Sequence, residues 1–139
     1  MRTRVGKSNA HRSLRLFGVG LVVLTGACGT AGLPTSATST QTFTGVLSAS
    51  GGFAQSVTVA GSGEFDLTLT SLSPQATITV GLGIGQPANG TCGLLTSIEN
   101  AKVGSLVSLS VVAGSYCVVI YDIGNIQGSD NFTLTVVHP

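Results

Sequence analysis

The chain reads as an all-β protein: a single antiparallel β-sandwich or jelly roll of about eight strands, behind an N-terminal signal peptide and a flexible tether. Three observations predict this. From Gln41 onward, apolar residues alternate with Thr and Ser, the period-two pattern of half-buried strands. Turn signals interrupt the pattern at short intervals: Gly51-Gly52, Gly61-Ser-Gly63, Ser73-Pro74, Pro87-Ala-Asn-Gly90, Ala113-Gly114, and Gly124-Asn125 through Gly128. No window carries an apolar stripe of helical period, and Ile98 to Val103 holds one helical turn at most.

The elements follow in order. Phe43, Gly45 and Leu47 alternate with threonines and Val46. Phe53, Val57 and Val59 share a face opposite Ser56 and Thr58. Phe65, Leu67 and Leu69 give the cleanest alternation, against Glu64, Asp66, Thr68 and Thr70. Ile78, Val80, Leu82 and Ile84 repeat it against Thr77, Thr79, Gly81 and Gly83, so these glycines share one strand face and invite close approach over it. A looser segment runs from Cys92 to Ile98, then Val107, Leu109 and Val111 form the next strand. Tyr116, Val118 and Ile120 alternate with Cys117, Val119 and Tyr121; both faces are apolar, which predicts a central strand. Phe132, Leu134 and Val136 close the domain. The predicted boundaries are 1–27 for the signal, 28–40 for the tether and 41–139 for the sandwich.

Residues 1–15 carry five basic residues and no acid, and the apolar run Leu16 to Leu24 is too short to anchor in a bilayer. Small residues follow at once, completing a secretory signal peptide. Leu24-Thr-Gly-Ala-Cys28 resembles the lipobox of bacterial lipoproteins, with Thr25 where that pattern prefers Leu. The resemblance implies cleavage before Cys28, attachment of diacylglyceryl and a further palmitate-type chain there, and a covalent membrane anchor in the bacterial cell envelope. Cleavage by the general signal peptidase near Ala27 or Ala31, giving a secreted protein, is the alternative. Gly29 to Thr40 is small, polar and uncharged, as a flexible tether would be.

Loss of the signal leaves Lys102 against Glu64, Asp66, Glu99, Asp122 and Asp130, a net charge of −4. One lysine cannot neutralise several phosphates, which argues against nucleic-acid binding. Cys92 and Cys117 remain as a pair. Export favours a disulfide between them over free buried thiols, and such a bridge would contribute roughly 3–4 kcal/mol.

Candidate chemistry is sparse. His138 is the one histidine beyond the signal and stands next to last, where a solvated side chain is expected, so a Ser–His or Cys–His pair is disfavoured. Glu64 and Asp66 share a strand face, suited to a metal or a sugar hydroxyl, and equally to keeping an exposed face wet. The stretch Asp122 to Asn131 is rich in oxygen donors. Asp122, Asn125, Asp130 and Asn131 are candidate calcium ligands, with ordinary turn formation the alternative. No other cofactor is expected. Tyr121 lies opposite Tyr116 on its strand and is a candidate sugar-stacking residue. Asn89-Gly-Thr91 and Asn131-Phe-Thr133 match the glycosylation sequon, idle in a bacterial source.

Phe65-Asp-Leu-Thr-Leu-Thr70, Ala113-Gly-Ser-Tyr-Cys-Val-Val-Ile-Tyr-Asp122 and Phe132-Thr-Leu-Thr-Val136 resemble the bacterial pre-peptidase C-terminal type of domain. That resemblance spans residues 41–139 and implies a β-sandwich with an accessory or binding role and no catalytic residues. With the signal, the tether, the low charge and the lack of catalytic groups, the expected function is a non-enzymatic exported lipoprotein, an envelope-attached binding or accessory module of unknown ligand. An envelope protein or polysaccharide is its candidate partner. A secreted carbohydrate-binding or structural surface module is the alternative.

Overall fold

Phe65, Leu67 and Leu69 point inward from one strand, and a second sheet must lie over them to keep them from water. The computed structural model describes residues 37–139 and supplies that sheet. The signal peptide, Cys28 and most of the tether lie outside the described residues. Eight strands are present: β1 (Ser39–Ser48), β2 (Gly52–Val59), β3 (Gly63–Ser73), β4 (Val80–Ala88), β5 (Thr91–Ala101), β6 (Leu106–Val111), β7 (Gly114–Tyr121) and β8 (Ser129–His138). They form two four-stranded antiparallel sheets, ordered β1-β8-β3-β6 and β2-β7-β4-β5. This is the jelly-roll order.

The topology is that of one long antiparallel ribbon. β4 pairs β5, β3 pairs β6, β2 pairs β7 and β1 pairs β8, with successive pairs assigned to alternate sheets. The ribbon closes at Asn89 and Gly90, whose positive φ values of 49° and 78° suit a two-residue hairpin turn with the strands' own twist. β7, apolar on both faces, is central as expected, between β2 and β4.

Inward residues of both sheets make one core. Phe65 stacks on His138 with ring centroids 5.8 Å apart and contacts Tyr116 at 5.9 Å. Phe53 reaches from β2 across to Phe132 of β8 at 5.1 Å. Ile126 seals one end from the β7–β8 loop.

Several expectations need correction. His138 is 3 % exposed, not solvated: it pairs with Ser39 at the end of β8, and its ring lies against Phe65. β4 begins at Val80, not Ile78, because residues 74–79 form a loop bonded to the opposite strand end; Ile78 still packs on the core. Ile98 to Ala101 stays in β5, since Ile98 and Ala101 pair with Leu82 and Val80 over the core.

Phe65 touches both sheets and the C-terminal ring, so Phe65→Ala should cost about 3–5 kcal/mol. A urea unfolding curve followed by circular dichroism measures the loss.

Candidate functional site

Gly81, Gly83 and Gly85 line the outer face of β4, and atoms of β5 and β7 lie directly against them. Gly81 pairs with Tyr121, and a Cβ at Gly81 would fall 2.2 Å from the tyrosine ring. Tyr121 therefore rests on bare backbone, half-buried, with its hydroxyl donating to Glu99 Oε1 at 2.8 Å. Burial, the bond to Glu99 and that carboxylate's charge raise the phenol's pKa above its usual value, in that order. At Gly85 a Cβ would meet the Gly93 carbonyl oxygen at 2.2 Å, so the irregular β4–β5 pairing brings β5 to backbone contact there.

That irregular pairing borders a cleft. The β4–β7 ladder ends at Gly85↔Cys117, while β4 continues to pair with β5 as far as Ala88↔Thr91. A bulge beside Gly85 lets this hairpin tip depart from the sheet. It also leaves Leu94 and Leu95 43 % and 55 % exposed. The disulfide Cys92–Cys117, with Cα atoms 5.9 Å apart, ties the tip to β7. Between the tip and β2 lies an open cleft of about 240 Å³ lined by Ala54, Gln55, Ser56, Pro87, Gly90, Thr91, Cys92 and Cys117. Its wall offers hydroxyls, an amide, backbone and disulfide sulfur, and none of its lining side chains is charged.

The expected calcium ligands divide between two hydrogen-bonding centres at one end of the sandwich. Asp122 Oδ1 accepts from the amides of Gly124, Asn125 and Ile126, and Oδ2 accepts from Ser50 at 2.8 Å. The Ser50 amide is the largest influence holding this carboxyl below its ordinary pKa; the other amides add to it and desolvation opposes them. Asn125 Nδ2 donates to the Thr79 carbonyl and hydroxyl. Asp130, fully buried, accepts from Gln75 N at 2.9 Å through Oδ1, and Asn131 Nδ2 donates to the Ser73 carbonyl. The four side chains thus bind three connections together: β1–β2, β3–β4 and β7–β8. Among the described residues no group of three or more His, Cys, Asp or Glu is placed to hold a metal.

Glu64 and Asp66 share the outer face of β3, where Ser110 and Ser108 of β6 donate to them. Tyr121 lies four residues along β7 from Cys117, on the same outer face but outside the cleft. Sequence reasoning found the Asn89-Gly90 turn and the cysteine pair separately. It missed the cleft, because the departure of β4 from β7 at Gly85 is a property of tertiary register.

These features define an exported-type, disulfide-closed jelly-roll sandwich with an uncharged surface cleft; a disulfide of this kind persists in oxidising, extracytoplasmic compartments. Its fold is similar to that of the Yersinia pseudotuberculosis-derived mitogen, with a TM-score of 0.56 and 16% identity over 73% of this chain and 86% of that one. PliG of Aeromonas hydrophila, a periplasmic inhibitor of g-type lysozyme, is matched at a TM-score of 0.48 and 10% identity, over 70% of this chain and 85% of that one. No protein family and no curated relative matches the sequence. The likeness is one of fold.

Two outcomes follow. Replacing Cys92 and Cys117 by Ser should cost about 3–4 kcal/mol and free the hairpin tip, measured by denaturant unfolding and by amide exchange at residues 86–93. Asp122→Ala should lower the melting temperature at neutral pH. The depressed pKa stabilises above the unfolded carboxylate value of about 3.9 and is lost as pH falls through the lower folded value, so the gap from the parent chain should narrow in melts at acid pH.

Proposed function

We propose that this chain is a non-enzymatic binding module of the bacterial envelope, anchored through lipid on Cys28, whose ligand enters the cleft beneath the β4–β5 tip. The cleft carries the reading. It is floored by a disulfide and framed by paired strands, so its walls are held before a ligand arrives, which lowers the cost of binding. Its neutral hydroxyl and amide lining suits a polar, uncharged ligand surface, such as an envelope polysaccharide or a neutral stretch of an envelope protein. General acid–base work would need titratable groups facing a substrate. Instead Asp122 and Asp130 hold loops, His138 packs on Phe65, and Glu99 holds Tyr121.

Tyr121 favours a second reading. Its ring is only half-buried, with Gly81 behind it, a disposition that leaves ring surface for a sugar. In that case glycan-array binding is lost in Tyr121→Ala and kept when the cleft is blocked.

Binding of the purified chain to washed cell envelopes tests the first reading. Ser56→Trp, which fills the cleft from an exposed position, should weaken retention by more than about tenfold, a loss of 1.4 kcal/mol or more. Unchanged retention would remove the cleft from the binding site. Intact mass of the membrane-extracted protein tests the anchor: it should start at Cys28, carry acyl mass, and lack two hydrogens at Cys92 and Cys117.

A further inference from the structure

The two flanks of the sandwich differ. On one, β5 and β6 are the sheet edges: β5 is bulged, bears Glu99 and leads into Lys102, and β6 lies beside Glu64 and Asp66. On the other, β1 and β2 are the edges, and Ser39 to Val59 contains no charged residue and no proline. β1 pairs with β8 from Ser39↔His138 to Ser48↔Ser129 without a bulge. Among the described residues it has a neighbouring strand on one side only. Charges, prolines and bulges are the usual protections of an edge whose N–H and C=O groups lack partners, and β1 has none of them.

We propose that β1 is a dimerisation edge. A second copy of this chain pairs antiparallel with it across a two-fold axis at Phe43, joining two four-stranded sheets into one continuous sheet. Self-complementarity names the occupant. Antiparallel pairing of identical strands is isologous, and outward residues must meet outward residues. With the axis at Phe43, Thr42 faces Thr44 of the other copy, Thr40 faces Val46, and the two Phe43 rings meet on the inner face. Phe43 is only partly buried and Val46 is 60 % exposed in the single chain, so pairing withdraws apolar surface from water. Facing threonines add cross-strand contacts. Charge selects the flank: two copies, each with one lysine and five acids after residue 36, repel least across a neutral surface.

Sedimentation equilibrium of the full chain in detergent, at rising concentration, tests the proposal. A dimer is expected, with its dissociation constant raised by more than about tenfold in Thr42→Lys/Thr44→Lys and unchanged in Val103→Lys on the opposite flank. A monomer at every concentration overturns it, as does a dimer indifferent to the β1 lysines. Oxidation of mixed Thr42→Cys and Thr44→Cys chains gives a second measurement, independent of the lysine variants' stability. Peptide mass spectrometry should find position 42 of one copy bonded to position 44 of the other, and absence of that bond overturns the pairing.

Discussion

Pairing of the first half of the chain against the second is the constraint on which every other feature depends. β1 meets β8, β2 meets β7 and β3 meets β6, so most ladder hydrogen bonds join residues far apart in sequence. β4 and β5 alone pair through a tight turn. β3 and β8 alternate buried and more exposed residues, so a slip of one residue in their ladder would turn Phe65, Leu67 and Leu69, or Phe132, Leu134 and Val136, toward solvent. Register and core are therefore one condition. The polar side chains secure it at the connections, where Asp122 gathers the β1–β2 and β7–β8 turns and Asp130 takes the β3–β4 loop.

The strands were legible because a half-buried strand writes its orientation into a period of two. Phe65-Asp-Leu-Thr-Leu has no other economical reading, and the double-sided apolarity of Tyr116 to Tyr121 announced a central strand correctly. The glycines of β4 announced close approach, and Tyr121 and the Gly93 carbonyl provide it. The cysteine pair was legible by elimination, and it is bonded.

What the sequence did not show depends on partners distant along the chain. His138 looked like a loose end because nothing local predicts that β8 continues beside Ser39 and Phe65 to the last turn of the ladder. The oxygen-rich loop offered calcium ligands or turn formers, and the distant amide that reaches Asp122, that of Ser50, is not visible in its local pattern. The cleft arises from a bulge at Gly85 and a ladder that stops at Cys117, neither of which leaves a compositional trace. Composition records which face of a strand is wet, but not where its neighbour leaves it.

The disulfide also determines how the domain would respond to force. It joins residues separated by 25 positions, and that segment contains all of β5 but its first residue, the crossing to the other sheet, all of β6 and the start of β7. Were the domain pulled at β1, that strand could be drawn out, but the loop closed by the disulfide could not lengthen. At the reach of an extended chain it withholds about 85 Å of contour. A load-bearing surface protein built this way would lengthen less before failing, and the hairpin tip that frames the cleft would stay joined to β7 after the outer strands had given way.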